Sequence, residues 1–284
     1  MRPALRRLFT GLLLALALVA RVADTSAALV PYPFSPSEVK PFAPDVIYVG
    51  DSLTLGIWAS PVGQYGYAST VPPTGSYPTL QATAFASAGV SVNVWNAGVG
   101  SGTISNAPGP YCNTGPVLST RVATDITGHL QGGKTRNVVV VWAGINDILH
   151  ESLCETQANP SYLAASLCVG CGAATWTRLQ SYVAQLVAAG AKTVFVSTLA
   201  PQNWLGAQGY TQAGIASLRE VATFNTSVYA GYSAIPGVVG LLDMANLAAI
   251  QSPGGGTPFY SDQLHFIDYA AISAYIYPMV AGVL

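Results

Sequence analysis

The chain has 284 residues, of which 51% are hydrophobic and only 8% are charged. This length suits one large domain or two small ones, and a sizeable core can be built. The formal net charge of −1 provides no basic surface for a nucleic-acid backbone, so nucleic acid is not an expected partner. A composition this apolar also occurs in membrane proteins, and each apolar run therefore has to be tested for length.

The first predicted element is an apolar run at residues 8–20. It follows Arg2, Arg6 and Arg7 and precedes small residues. Thirteen residues are too few to span a bilayer, which takes about 20. The order basic, apolar, small is typical of a secretory signal peptide. We expect residues 1–28 to be cleaved and the protein to be secreted, extracellular or periplasmic, without stable membrane insertion. An uncleaved anchor is the alternative.

A proline-rich arm follows at residues 29–44, with five prolines in the fourteen residues 31–44. Proline removes a backbone donor and favours extended conformations, so this segment is predicted to be a linker or a surface arm. Signal cleavage would remove four basic and one acidic residue. The remaining seven basic and eleven acidic residues give a net charge of about −4.

From residue 45 to residue 284, short apolar runs alternate with helical patterns. Most of the runs are rich in Val and Ile with little polar alternation. This pattern is typical of strands covered on both faces. The predicted strands are Val46–Val49, Val92–Trp95, Val138–Trp142, Thr193–Ser197 and Val238–Leu241. The predicted helices are Tyr77–Ala88, Val117–Leu130, Ala173–Ala189, Gly214–Tyr229 and Tyr269–Val280.

This alternation predicts a single α/β domain at 45–284. Strand–helix–strand units with right-handed crossovers place the strands in one parallel, five-stranded sheet with helices on both sides. Ligands of such folds bind beyond the carboxyl ends of the strands. The residues that follow each strand are therefore the candidates for chemistry.

The four cysteines lie in the part that would be exported: Cys112, Cys154, Cys168 and Cys171. An even number in an oxidising compartment indicates two disulfides, with three possible connectivities. The C-x-x-C of Cys168 and Cys171 also allows zinc or redox chemistry. A structural zinc site would need a second close pair, and Cys112 and Cys154 stand 42 residues apart, so we favour disulfides over metal.

Polar residues and glycines follow three predicted strands. Ser52 lies in "GDSL" after the first, Gly98 in "WNAGVGSGT" after the second and Asn146 in "WAGINDI" after the third. Near the C-terminus, "SDQLH" places Asp262 three residues before His265. Each block alone has an ordinary structural interpretation, since glycines make turns and Ser, Asn or Asp cap helices.

Together these residues predict the parts of a serine ester hydrolase. Ser52 is the hydroxyl nucleophile, and His265 is the base that takes its proton and returns it. Asp262 can orient the imidazole across one helical turn. The backbone N–H groups of Ser52 and Gly98 and the side-chain amide of Asn146 would stabilise the oxyanion.

In this order, the blocks "GDSL", "NAG", "GIND" and "DQLH" resemble those of the SGNH (GDSL-type) hydrolases, from about residue 45 to the end of the chain. The resemblance implies a flavodoxin-like three-layer α/β/α fold and esterase, lipase or carbohydrate-deacetylase activity. It implies the same catalytic roles for Ser52, Asp262 and His265, a structural role for Asp51, and no metal or organic cofactor. The expected partner is a small-molecule, glycan or lipid ester, and the expected state is a monomer.

Several alternatives stay open. The run "GVGSGT" approaches a dinucleotide fingerprint but lacks the third glycine, and Asp147 with Asp262 could suggest a glycosidase pair. A non-catalytic glycan- or lipid-binding module, or an acyltransferase, could keep the same fold. We also expect residues 151–172 to form a loop that covers the cleft and is stiffened by disulfides. Seven aromatic side chains fall in loops predicted at the active rim: Trp58, Tyr65, Tyr67, Trp204, Tyr210, Phe259 and Tyr260.

Overall fold

The structure is a computed structural model that describes residues 43–56, 76–105, 116–131, 136–207, 209–248, 266 and 269–284. Its sheet has five strands: Asp45–Gly50 (β1), Asn93–Gly98 (β2), Asn137–Trp142 (β3), Thr193–Ser197 (β4) and Val238–Leu242 (β5). All five predicted strands are confirmed. The largest difference is at β2, which continues three residues beyond the predicted end, to Gly98.

The sheet is parallel throughout, with the strand order β2-β1-β3-β4-β5. The predicted flavodoxin-like α/β/α fold is therefore confirmed. Strand β1 lies between β2 and β3, and its last residue, Gly50, is in register with Gly98 of β2 and Trp142 of β3. The carboxyl ends of these three strands thus lie side by side, about 4.8 Å apart.

The strands are apolar because both faces of the sheet are covered. Every residue of β1, β2 and β3 is buried, as expected for a parallel sheet between two helical layers. Strand β5 forms one edge and is more exposed, with Val239 at 54% exposure. The three central strands therefore form the rigid part of the molecule that carries the candidate site.

Eight α-helices are formed by the described residues: Ser52–Leu55 (α1), Tyr77–Ser87 (α2), Thr127–Gln131 (α3), Ile145–Ala158 (α4), Cys171–Ala188 (α5), Trp204–Ala207 (α6), Thr211–Gly231 (α7) and Ala270–Ala281 (α8). Helix α2 packs against α8, while α4, α5 and α7 pack against one another. A buried side chain, Gln81, ties the first layer to the sheet. It accepts a hydrogen bond from Tyr48 Oη (3.2 Å) and donates to Ser273 Oγ (3.0 Å).

Two helical predictions need correction. The helix predicted over Val117–Leu130 is three shorter pieces: a 3-10 turn at Leu118–Arg121, a π-helical turn at Val122–Ile126, and α3. Both the N–H and the hydroxyl of Thr127 donate to Val122 O, five residues back, which is the spacing of a π turn.

The second correction concerns α4. The covering loop is predicted at residues 151–172, yet its first eight residues belong to the 14-residue helix Ile145–Ala158. The proposed covering loop therefore begins after the helix, at residue 159, and ends at Gly170, which caps α5. Asn146 thus lies in the first turn of a helix instead of in a loop.

The predicted signal peptide (1–28) and nearly all of the proline-rich arm (29–44) lie outside the described residues. Within the described ranges, no helix combines the length and the apolar character that crossing a membrane requires.

Candidate active site

The candidate site begins where β1 ends. Asp51 is the N-cap of α1, and its Oδ1 accepts a hydrogen bond from the N–H of Leu53 at 2.9 Å. Ser52 is the first residue of that short helix and is 6% exposed. Capping and the candidate nucleophilic role therefore fall on two adjacent residues, in agreement with the structural role that the resemblance implied for Asp51.

Two glycines allow α1 to lie close against the sheet. A Cβ on Gly50 would stand 2.1 Å from Trp142 O, and one on Gly98 would stand 2.2 Å from the backbone N of Leu55. Both distances are far below van der Waals contact, and both obstacles are backbone atoms that cannot turn aside. Glycine at these positions thus sets where Ser52 stands relative to the end of β2.

The predicted oxyanion role of Gly98 meets an obstacle in its hydrogen bonding. Its N–H donates to Asn96 Oδ1 at 2.9 Å, which is the Asx-turn pattern of Asn with the residue two positions on. Asn96 is itself held, because its amide donates to Thr54 O at 3.2 Å. The Gly98 N–H is therefore occupied, and it could meet an oxyanion only if Asn96 released it.

The loop after β2 offers two other backbone donors. Val99 N–H donates to Gly50 O and Gly102 N–H donates to Val99 O, each at 3.0 Å. Between them, the N–H groups of Gly100 and Ser101 find no acceptor in the described part of the chain. Ser101 has a φ of 57°, a left-handed conformation that is uncommon for a residue with a side chain and clusters at functional sites. Sequence reasoning missed this pair; the Asx-forming Asn96 was the signal that could have revealed it.

Asn146 is held beside the same loop. It is 5% exposed, and its amide nitrogen donates to Gly102 O at 3.1 Å. An amide group has two N–H bonds, so this hydrogen bond orients the group and leaves a second donor. Gly144, with a φ of 118°, makes the turn that starts α4 and places Asn146 in its first turn.

A buried ionic network stands behind Asn146. Asp147 accepts a hydrogen bond from the N–H of Ile104 at 2.9 Å, which attaches α4 to the loop after β2. Arg178 on α5 lies 3.6 Å from Asp147 Oδ1 and donates to Glu151 Oε1 at 2.6 Å. Asp147 therefore holds the loop, as its position beside Asn146 suggested, instead of serving as a glycosidase carboxylate.

Burial changes the protonation of two carboxyl groups at the site. It raises the pKa of Asp51 to about 7, and the charge of Asp147 adds to the rise. It raises the pKa of Asp147 to about 7 as well, against the lowering effect of the Ile104 N–H and of Arg178. In each case the removal of water from a carboxylate favours the neutral form. His150, also on α4, has its pKa lowered by burial.

The cysteines support disulfides and not a zinc site. Cys168 and Cys171 are bonded to each other, and Cys154 is also disulfide-bonded. Among the described residues, Glu151, Cys168 and Cys171 form a cluster of potential metal ligands. The disulfide takes the thiolates that a zinc ion would need. Cys112 lies outside the described residues.

Two further sets of predictions depend on residues beyond the described ranges. Asp262 and His265 lie outside them, so their roles remain predictions. The same holds for five of the rim aromatics: Trp58, Tyr65, Tyr67, Phe259 and Tyr260. Tyr210 is described and is 39% exposed at the start of α7.

The described site residues thus lie together at the carboxyl ends of β1, β2 and β3. Ser52 lies two residues beyond the end of β1, Gly100 two beyond β2 and Asn146 four beyond β3. Around these strand ends the site offers a hydroxyl, two backbone N–H groups and a side-chain amide. Such groups can bind a carbonyl oxygen that gains negative charge.

This fold is shared by several solved ester hydrolases. An aryl esterase of M. smegmatis matches with a TM-score of 0.54 at 17% identity, over 85% of this chain and 100% of that chain. A lipase/acylhydrolase from Enterococcus faecalis has a TM-score of 0.52 at 18% identity, over 84% and 96%. A carbohydrate acetylesterase family member from Sinorhizobium meliloti has a TM-score of 0.55 at 13% identity, over 85% and 99%.

At these identities the likeness establishes the fold alone, and it is the fold that the SGNH resemblance implied. No protein-family model matches the chain. No curated protein matches it in sequence at a significant level.

Proposed function

We propose that the protein is a serine ester hydrolase that cleaves carboxylic esters through an acyl-Ser52 intermediate. The observation that carries this proposal is the convergence of Ser52, the Gly100–Ser101 N–H groups and Asn146 at the ends of three adjacent strands. The solved structures of the same fold are named as an aryl esterase, a lipase/acylhydrolase and a carbohydrate acetylesterase. Ester cleavage is common to all three names.

In the proposed reaction, Ser52 Oγ attacks the ester carbonyl carbon while His265 takes the hydroxyl proton. The carbonyl oxygen becomes an oxyanion that accepts hydrogen bonds from Asn146 and from backbone N–H groups of Ser52 and the Gly100–Ser101 loop. The C–O bond then breaks, and His265 returns the proton to the leaving alcohol. Water, activated by the same imidazole, releases the acid from Ser52, and Asp262 orients the ring in both halves.

We further propose that the mature protein acts outside the cytoplasm. The basic–apolar–small order of residues 1–28 supports export. The disulfide-bonded state of Cys154, Cys168 and Cys171 supports an oxidising compartment.

A serine-directed fluorophosphonate tests the mechanism. We expect the wild-type protein to be labelled at one site, found at Ser52 by peptide mass analysis. Ser52→Ala should lose the label and nearly all hydrolysis of p-nitrophenyl acetate. The matched control is Ser87→Ala at the exposed end of α2, which should keep both.

Other results would select another function. A wild-type protein that neither labels nor turns over any ester would favour the binding module. Labelling with faster ester exchange to an added alcohol than hydrolysis would favour the acyltransferase. Labelling that survives Ser52→Ala would refute Ser52 as the nucleophile.

A further inference from the structure

Residues 156–177 and residues 193–218 are two of several stretches of this chain that carry no Asp, Glu, Lys, Arg or His. The fold brings parts of them together, because the connection at 159–170 lies against the N-terminal half of α7. Ala164 N–H donates to Gln212 Oε1 at 2.8 Å, and Arg219 donates to Ala164 O at 2.8 Å and to Leu167 O at 2.6 Å.

Ile215 lies between these two attachment points. Residues 212, 215 and 219 are spaced by three and four positions, so they share one side of α7. Ile215 is 52% exposed on the side of the helix that the connection contacts. The exposed residue and the connection therefore form one continuous surface.

Most of the large apolar side chains that reach solvent in the described part of the chain gather here. Eight such side chains are exposed, and five of them lie within residues 156–177 and 193–218. We name these five the uncharged face: Tyr162 (44% exposed), Leu163 (68%), Val169 (71%), Tyr210 (39%) and Ile215 (52%). Scattered exposed apolar residues are ordinary, but a gathered set indicates a binding surface.

A disulfide and backbone hydrogen bonds beneath the uncharged face fix the segment that carries it. The Cys168–Cys171 disulfide closes the end of the connection, and Cys168 N–H donates to Glu155. Gly172 N–H donates to Glu220 at 2.9 Å. Arg219, beside the face, is 37% exposed, and it pairs with Glu220 at 2.8 Å as well as with the two backbone carbonyls. The exposed apolar side chains therefore stand on a support that these bonds fix.

The face lies at the same end of the sheet as the candidate active site. Cys168 Sγ is 3.7 Å from Ile148 O, two residues after Asn146 on α4. Helix α7 follows the carboxyl end of β4, the end at which Ser52 and Asn146 also stand. A partner bound to this face would therefore lie next to the candidate active site.

We propose that the uncharged face binds the surface of a water-insoluble, electrically neutral ester, such as a droplet of triacylglycerol, and brings Ser52 to it. An anionic surface would be matched by unpaired lysines and arginines. Both segments lack them, and Arg219 beside the face is paired with Glu220. Aliphatic side chains gain free energy on leaving water, and tyrosine suits a boundary that is apolar on one side and wet on the other. The substrate part of this inference rests on the proposed esterase function, whereas the binding part does not.

The test measures binding and catalysis separately. Trioctanoylglycerol droplets are mixed with Ser52→Ala protein, so that no ester is consumed, and the bound fraction is found by flotation. We expect Leu163→Ser with Val169→Ser to weaken binding by about tenfold or more. The matched control is Val239→Ser with Val283→Ser, two exposed valines outside the face, which should change binding less than about twofold.

The same pairs of substitutions in protein with Ser52 intact give the catalytic readout. Hydrolysis of dissolved p-nitrophenyl acetate should stay at the wild-type rate, and hydrolysis of the droplets should fall with binding. Equal droplet binding by the two double variants would overturn the proposal, as would no binding by any of them. A change from dimer to monomer in the Leu163/Val169 variant would assign the face to a second copy of the chain. If binding behaves as expected but Ser52→Ala keeps its activity, the esterase mechanism fails and the binding surface stands.

Discussion

At the scale of single residues, the site divides two roles between neighbours. Asp51 caps α1 through the Leu53 N–H, and Ser52 follows it as the candidate nucleophile. On the neighbouring strand β2, the side chain of Asn96 accepts a hydrogen bond from the Gly98 N–H. One Asx-type hydrogen bond thus engages the Gly98 N–H, which the proposed oxyanion site would otherwise use.

The side chain of Asn146 should matter only when the oxyanion forms. We expect Asn146→Ala to lower kcat and kcat/KM together by about a hundred- to a thousandfold, with KM nearly unchanged. Steady-state kinetics with p-nitrophenyl acetate would measure this. Asn246→Ala, beyond the end of β5, is the matched control and should change neither constant by more than about twofold. A rise in KM without a fall in kcat would assign Asn146 to ground-state binding.

Asp51 should make stability depend on pH. Its pKa is about 7 in the folded protein and 3.8 as an unperturbed group, so the folded chain holds this proton more tightly. The cost of its buried charge is absent below pH 4, grows between pH 4 and 7, and is complete above 7. Asn can keep the capping oxygen without the charge. We therefore expect the Tm of Asp51→Asn, relative to wild type, to rise from pH 5 to pH 8. An equal difference at both pH values would contradict the raised pKa.

At the scale of secondary structure, α4 and α5 together support the candidate oxyanion site. The first turn of α4 carries Asn146 and Asp147, and Arg178 of α5 pairs with Asp147 and Glu151. Because Asp147 also binds Ile104 N–H, this pairing reaches the loop that carries Gly100 and Ser101. The position of the loop therefore depends on contact between two helices.

Removing Arg178 should destabilise the protein most at alkaline pH. The side chain is 14% exposed, and its loss would leave two buried carboxylates without their cation. We expect Arg178→Gln to cost about 3 kcal/mol or more at pH 8 by urea unfolding. At pH 5 the loss should be smaller, because the pKa of Asp147 near 7 lets that group become neutral. Arg136→Gln, at an exposed position, is the control. A loss independent of pH would separate Arg178 from the titration of Asp147.

At the scale of the whole molecule, the strand order brings the site together. Blocks that are far apart in the chain meet because β1 lies between β2 and β3. The sequence was sufficient to predict the five strands, since Val- and Ile-rich runs without alternation are typical of a sheet covered on both faces. It was also sufficient to place Ser52 and Asn146 at one edge, because parallel strands end on the same side.

Other features depend on contacts that no local pattern contains. Helix α4 is capped by Gly144 and buries both Asn146 and Asp147. These two polar side chains are held by hydrogen bonds to Gly102 and Ile104. Within the described ranges, the N–H groups of Gly100 and Ser101 have no acceptor, while Val99 and Gly102 on either side of them donate to backbone carbonyls. Tertiary hydrogen bonds, and not propensity, decide these positions.

The mass of the whole exported protein tests its processing and its cysteines together. We expect the mature chain to begin near residue 28 or 29 and to gain about four hydrogens on full reduction, two for each disulfide. Intact-mass measurement before and after reduction would show this. A gain of no hydrogens, or a zinc adduct in the native spectrum, would contradict the two disulfides.

The central place of β1 also bears on how the chain folds during synthesis. Asp45 of β1 pairs with Asn137 of β3, so the first strand to be made has one edge without its partner until 92 more residues have followed. At roughly 5 to 20 residues per second, that interval lasts about 5 to 18 seconds. Throughout it, a strand whose residues are all buried in the folded protein has an open edge. We therefore expect the nascent chain to bind chaperones before β3 has been made.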